Sequence, residues 1–277
     1  MSLPKIPLAG VIGSPIAHSK SPQIHGHWLK TLGLKGAYIP MDVAPSDLEQ
    51  VVRTLPKMGF VGTNVTIPHK EAVIDIVDII TDRAAMIGAV NTLTFRADGK
   101  IQGDNTDGYG FLENLRSGAP DWDPKAGPAA IFGAGGAARA VIAALLDAGV
   151  PEILISNRTR VRADNLASVF GPRVTVYDWV KAGNMLDHAA LLVNTTSLGM
   201  LGKPELRVPL DGLRAQTVVT DLVYAPLKTN LLQMAEHAGC ATVDGLGMLL
   251  HQAVPGFERW FGTRPEIDRA TRAAALR

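Results

Sequence analysis

The stretch Ala129-Ala130-Ile131-Phe132-Gly133-Ala134-Gly135-Gly136-Ala137-Ala138 joins a short, wholly apolar run to a helix-forming run, Ala137 to Ala148, through a turn of glycines. Four consecutive apolar residues suit a strand buried on both faces. The Gly-x-Gly-x-x-Gly/Ala spacing that follows suits the first turn of a dinucleotide-binding βαβ unit. In that reading Gly133 permits the tight turn, Gly135 lets the backbone approach a pyrophosphate, and Ala138 takes the third, packing position. The anion is held at the positive end of the helix. Gly133, Ala134, Gly135, Gly136 and Ala137 are therefore candidate cofactor contacts. A plain glycine-rich turn has the same composition, and it is the placement between strand and helix that favours the cofactor.

Working outward toward the C-terminus, the same rhythm repeats. Short β-branched or apolar runs at Ile153 to Ser156, Val174 to Tyr177, Leu191 to Asn194, Val218 to Val223 and Ala241 to Asp244 alternate with a helix candidate at Arg162 to Phe170 and further connections. Strands separated by helices imply a parallel, doubly wound sheet. Toward the N-terminus, Leu8 to Ile12, Pro22 to Leu32, Ala37 to Met41, Pro45 to Leu55 and Val61 to Val65 again alternate strand and helix. Thr92 to Phe95 and Ile101 to Gly103 flank Asp98-Gly99, a turn signal for a hairpin that would add an antiparallel edge. A helix is expected from Thr106 to about Arg116, and Ser117 to Pro128 is rich in Gly, Pro and Asp, as a linker near a domain junction would be. The terminal runs Met248 to Phe261 and Asp268 to Leu276 read as helices that pack back on the first half. The fold class is α/β, and 277 residues suggest two domains.

The residues after the second strand of the nucleotide unit set the cofactor. An Asp or Glu there holds the ribose 2'-hydroxyl of NAD. The chain instead reads Asn157-Arg158-Thr159, with Arg160 and Arg162 close behind. A guanidinium attracts a 2'-phosphate, so NADP(H) is the expected cofactor, with Arg158 as its main ligand. Arg160 is assigned to a solvated basic face.

The charge balance excludes several classes of partner. Lys and Arg total 27 against 26 Asp and Glu, a net charge of +1, which gives no electrostatic reason to bind nucleic acid or an acidic membrane. Cys240 is the only cysteine, so no intrachain disulfide forms, and its neighbours lack metal-ligand spacing. The apolar stretch Ile6 to Ala17 after Lys5 is broken by Gly and Pro and reads as a strand and loop rather than a leader. No run is apolar and long enough to cross a membrane. A cytoplasmic protein acting on a small molecule is expected.

Two segments of the first half place polar groups where a packed strand does not need them: Asn64-Val65-Thr66-Ile67-Pro68-His69-Lys70 and Gly103-Asp104-Asn105-Thr106-Asp107-Gly108. By themselves Lys70 suits a solvated helix start and Asp107 a first-turn carboxylate. Beside a nicotinamide-type fold they suit a proton donor and the group that orients it, which ketone reduction requires. These segments, with Ser19-Lys20-Ser21-Pro22, Gly88 to Thr92, Gly133 to Ala137, Asn157 to Thr159 and Asp244 to Met248, make the chain resemble the shikimate dehydrogenase family along nearly its whole length.

The resemblance implies a two-lobed enzyme: a substrate-binding domain at 1–107, completed by helices at 248–277, and a Rossmann-type NADP-binding domain at 108–247, with a cleft between them. It implies reversible NADPH-dependent reduction of 3-dehydroshikimate to shikimate, a step toward chorismate and the aromatic amino acids, by a monomer or homodimer. By motif position Lys70 is then the catalytic acid/base and Asp107 its partner. Ser19 and Ser21 match a carboxylate-binding pair, although Ser21 before Pro22 also suits a helix N-cap. Thr66, Asn91, Tyr224 and Gln252 match further substrate contacts. Thr159, Arg162, Leu222, Gly245 and Met248, with Asp82 from the first lobe, match cofactor contacts. No histidine is assigned to catalysis and no metal is expected. A quinate-oxidising paralogue, a folate-type dehydrogenase and a ligand-sensing module without turnover are the rival readings. The absence of an acid at Asn157 and the Ser19/Ser21 pair argue against the first, the same serine loop against the second, and Lys70 with Asp107 against the third.

Overall fold

The computed structural model describes residues 6–277, so Lys5 lies outside the described residues. The chain forms two compact units, one running to Thr106 and resuming at Leu250, the other spanning Asp107–Leu249. Asp107 and Met248, placed above in the substrate domain and in its completing helices, therefore belong to the second unit.

The first unit begins with β1 (Leu8–Gly13), α1 (Ser21–Thr31), β2 (Ala37–Asp42), α2 (Leu48–Thr54) and β3 (Gly62–Val65). It continues through β4 (Ile79–Ile80), α3 (Asp82–Ile87), β5 (Thr92–Phe95) and β6 (Ile101–Asp104). The six strands lie in the order β2-β1-β3-β5-β6-β4. β1 pairs in parallel with β2 and β3, whereas β3 with β5 and β5 with β6 are antiparallel. The Asp98-Gly99 hairpin thus forms as expected, but it is not the sheet edge. The short β4 runs parallel to β6 and covers it. Ile12, Val52, Val65, Val73, Val90 and Leu93 are among the buried side chains that fill one face.

The second unit contains α4 (Asp107–Gly118), β7 (Ala129–Phe132), α5 (Gly136–Ala148), β8 (Ile153–Ser156), α6 (Arg160–Phe170) and β9 (Val174–Tyr177). After a 3-10 stretch at Trp179–Asp187 come β10 (Leu191–Asn194), β11 (Val218–Asp221), α7 (Asn230–His237) and β12 (Ala241–Val243). All six strands are parallel, in the order β12-β11-β10-β7-β8-β9. This is the doubly wound dinucleotide order, with its switch point between β7 and β10. The apolar runs that read as strands buried on both faces divide by alternation. Ala129, Ile131, Ile153, Ile155, Leu191 and Val193 pack into one core, and Ala130, Phe132, Leu154 and Leu192 into the other. The Ser117 to Pro128 stretch is the end of α4 and the loop after it, inside this unit rather than at a junction, because α4 packs on α5 and belongs with it.

α8 (Leu246–Phe261) and α9 (Arg269–Ala275) close the chain, and residues from Leu250 onward join the first unit. Trp28 Nε1 on α1 donates to Thr271 Oγ1 at 3.3 Å, and Trp260 Nε1 donates to the Leu93 carbonyl at 3.0 Å. Between these anchors His25 lies fully buried, stacked on Tyr38 with ring centroids 3.8 Å apart and flanked by Trp28, Phe257 and Trp260. Burial lowers its pKa to about 3, so it is a neutral core ring at physiological pH. α3 and α7, of 6 and 8 residues, were not visible in the sequence because so few turns show no clear period.

Candidate active site

In the first unit the site residues stand at the C-terminal ends of β1 and β3. Thr66 N–H donates to the Ile12 carbonyl at 2.8 Å and Ser14 N–H to the Ile67 carbonyl at 3.1 Å, so the loop before α1 and the turn carrying Lys70 are tied together. Val90 N–H donates to the Lys70 carbonyl at 2.8 Å, which pins the lysine backbone beside Asn91. His69, one residue away, is buried with Nε2 2.7 Å from the Val43 carbonyl, and so anchors the turn from within.

Ser21 does not cap α1. It is the first residue of that helix, its neighbour Lys20 stands at the cap without a side-chain bond, and Ser21 N–H donates to Ser19 Oγ at 3.3 Å. Burial raises the Tyr38 phenol well above the ordinary range, and the nearby Ser21 hydroxyl works in the opposite direction. Tyr38 Oη donates to Asn64 Oδ1 at 2.6 Å, and Asn64 Nδ2 donates to the Asn91 carbonyl at 3.2 Å and to Thr92 Oγ1 at 3.3 Å. Asn91 Oδ1 accepts from Thr106 N–H at 2.9 Å, while its Nδ2 donates to Gln252 Oε1 at 3.4 Å. Tyr38, Asn64, Asn91 and Gln252, far apart in sequence, thus belong to one hydrogen-bonded network. Tyr38 is the link that sequence reading missed, whereas Asn64 stood in a singled-out polar segment without an assigned role.

Asp104, at the end of β6, is 1% exposed and carries a clamp of cations. Arg83 binds both of its carboxylate oxygens, Arg259 Nη2 lies 2.6 Å from Oδ2, and Thr81 Oγ1 donates to Oδ1 at 2.8 Å. Asn105 N–H donates to the same oxygen at 2.8 Å. Burial works to raise the Asp104 pKa, but the hydrogen bonds from Arg83, Thr81 and Arg259 outweigh it and hold the carboxyl well below the ordinary range. Asp82, the proposed cofactor contact of this unit, is the exposed first residue of α3, whose cap is Thr81.

In the second unit the glycine turn lies where the sequence placed it, between β7 and α5. Gly135 is the N-cap, no side chain caps the helix, and its first turn holds no acid. A Cβ on Gly135 or Gly136 would meet nothing within 4 Å, so bare backbone N–H groups at the positive helix end face open space. That arrangement fits a diphosphate. Beyond β8, Asn157 Nδ2 donates to the Thr159 carbonyl at 2.8 Å, which leaves no carboxylate at the ribose position. Arg158 and Arg162 are exposed. Arg160 is paired with Asp178 and, at 3.6 Å, with Asp164, in keeping with its assignment to the surface. These residues fit the 2'-phosphate of NADP. Asp107 opens α4, and Leu222 and Tyr224 lie in the loop after β11, where burial raises the Tyr224 phenol. Gly245 is buried just before α8, with Met248 in that helix's first turn. Among the described residues no cluster of His, Cys, Asp and Glu could hold a metal ion, and no helix is long and apolar enough to cross a membrane.

Known proteins agree with this construction. Residues 11–93 match the shikimate dehydrogenase substrate binding domain, residues 123–201 the shikimate / quinate 5-dehydrogenase family, and residues 245–275 the shikimate 5'-dehydrogenase C-terminal domain. A shikimate dehydrogenase (NADP(+)) of Roseobacter denitrificans is 70% identical over 276 residues, covering 100% of both chains. Among solved structures, quinate dehydrogenase from Corynebacterium glutamicum in complex with NAD superposes with a TM-score of 0.90 at 32% identity, covering 97% of this chain and 98% of that one. Shikimate 5-dehydrogenase from Thermus thermophilus in complex with NADP(H) and shikimate gives a TM-score of 0.86 at 37% identity, again covering 97% and 98%. Matched segments in both units, and a relative aligned from end to end, show that this chain belongs to the shikimate dehydrogenase family.

Proposed function

We infer that the protein interconverts shikimate and 3-dehydroshikimate with NADP(H), and the observation that carries this is the pairing of an open glycine turn with Arg158 where an NAD-binding unit keeps an acid. The 70% identity to relatives named for shikimate and NADP(+) supports the same choice of substrate and cofactor. Gly133 to Ala137 would hold the diphosphate, and Asn157, Arg158, Thr159 and Arg162 the adenosine 2'-phosphate. Leu222, Gly245 and Met248, with Asp82, would contact the remainder. When bound, NADPH supplies the hydride that reduces the carbonyl carbon.

The chain's own residues handle the proton and the orientation. In the reducing direction the Lys70 ammonium gives a proton to the carbonyl oxygen as the carbon–oxygen double bond becomes a hydroxyl, and in the oxidising direction the neutral amine takes it back. Asp107 positions both the lysine and the substrate. The hydroxyls of Ser19 and Ser21 hold the ring carboxylate, while Thr66, Asn91, Tyr224 and Gln252 supply donors and acceptors to the ring hydroxyls. The working form is taken to be a cytoplasmic monomer or homodimer.

Quinate oxidation with NAD is the second reading, favoured by the superposition on the Corynebacterium glutamicum enzyme. An assay of NADPH or NADH absorbance at 340 nm with each pairing of shikimate or quinate with NADP or NAD separates the two. Shikimate with NADP should give the highest kcat/KM. Dominance of quinate or of NAD would overturn the substrate or cofactor assignment respectively, and silence in all four would overturn both.

Arg158→Ala gives a sharper test of the cofactor. A charge-assisted hydrogen bond is worth about 1.5 to 3 kcal/mol, so the KM for NADP should rise by roughly tenfold to a hundredfold. The KM for NAD, which lacks the 2'-phosphate, should hardly move. Equal changes for the two cofactors would place Arg158 elsewhere.

A further inference from the structure

Beneath the loops of the second unit that carry Leu222 and Tyr224 lies a buried polar pair. Asn194 ends β10, Asp221 ends β11, and the two are register partners on adjacent parallel strands. Asn194 Nδ2 donates to Asp221 Oδ1 at 2.9 Å and to the Leu198 carbonyl at 3.2 Å, and its Oδ1 accepts from Thr196 N–H at 3.0 Å and Thr196 Oγ1 at 2.7 Å. One amide therefore shapes the turn 195–198. Asp221 Oδ1 also accepts from Val223 N–H at 2.9 Å, and Oδ2 accepts from Thr229 Oγ1 at 2.7 Å. One carboxyl therefore shapes the loop 222–229. Burial pushes that carboxyl up to about 6, against the three donors that favour its charged form. A buried acid this costly is hard to explain by stability alone.

Both loops touch the cofactor glycines without slack. A Cβ on Gly133 would lie 2.5 Å from Thr195 Oγ1, and a Cβ on Gly245 would lie 2.3 Å from the Leu222 carbonyl oxygen. The β10 loop is thus seated against the diphosphate turn, and the β11 loop against Gly245, with Asn194 and Asp221 joining the two from below. We propose that Asp221 is a positioning residue for the cofactor: through Asn194 and the Val223 N–H it sets the 195–198 turn and the Leu222-Val223 start of the next loop against Gly133 and Gly245. This rests on the assignment of Gly133, Leu222 and Gly245 to NADP made above.

The test is NADP binding to the full chain by calorimetry, with thermal unfolding in parallel. Asp221→Ala removes the link and should weaken the Kd for NADP by about tenfold or more. Asp221→Asn keeps an oxygen for Asn194 and Val223 and should stay within about threefold of wild type. Thr229→Val loses the Oδ2 bond and the α7 cap, so it should lower Tm while binding NADP within about threefold of wild type. Should Asp221→Ala not fold, Asn194→Ala breaks the same link, and the same weakening is expected. Wild-type-like affinity in a folded Asp221→Ala or Asn194→Ala variant overturns the proposal, as does equal weakening in Thr229→Val. Failure of the wild-type chain to bind NADP would instead bring down the cofactor reading, and this inference with it.

Discussion

Lys70→Ala is expected to lower turnover by about 100-fold to 10,000-fold, the usual contribution of a positioned acid/base, while the KM for shikimate changes far less. The asymmetry follows from what the ammonium does. The proton it gives matters most as negative charge develops on the carbonyl oxygen, so its loss is felt in the transition state more than in binding. Its backbone is held by the Val90 N–H bond and by the buried His69 beside it, so removal of the side chain should leave the turn in place. Steady-state kinetics in both directions, with circular dichroism to confirm the fold, checks this. A variant that kept a tenth or more of the turnover would show that the proton comes from another group.

Asp104→Asn should destabilise the first unit strongly. The carboxylate answers two arginines from the bottom of a buried site, and the amide would leave their charges facing an N–H₂ group. Breaking a buried pair usually costs about 3 to 5 kcal/mol, and because Arg83 and Arg259 are themselves partly solvated, about 3 kcal/mol is the expected loss. The pH dependence carries the sign. Since the folded pKa lies below the ordinary 3.8, the stabilisation is present above that value and is lost as pH falls through the folded pKa. Wild-type stability should therefore drop in strong acid more steeply than that of Asp104→Asn. Urea unfolding of both proteins at pH 7 and below pH 4 measures this, and equal stability at pH 7 would refute the clamp.

Local chemistry explains which features were readable from the chain. The strand Ala129–Phe132, its glycine turn and α5 were legible because each is set by neighbours in sequence: apolar residues that must be buried, a backbone that must turn, and a run that forms helix. The Asn157-Arg158-Thr159 stretch was legible because the charge proposed to act there would meet a ligand group directly. The roles proposed for Lys70 and Asp107 were readable chiefly through resemblance, since a lysine after a strand and an acid at a helix start are common in any fold.

What escaped reading was set by contacts across long separations. Asp104 stood in a singled-out polar segment without a role of its own, and only the return of α8 brings Arg259 to it. Tyr38, Asn64 and Gln252 join Asn91 in one network only after strand order and the C-terminal helix bring them together. Asn194 and Asp221 became a pair because β10 and β11 lie side by side in register. The sequence by itself determined the nucleotide-binding turn, the basic cofactor preference and the α/β alternation, because those depend on burial, turn geometry and charge within a few residues. The tertiary structure alone decided which polar groups are buried together, and so which of them must be satisfied by partners far away in the chain.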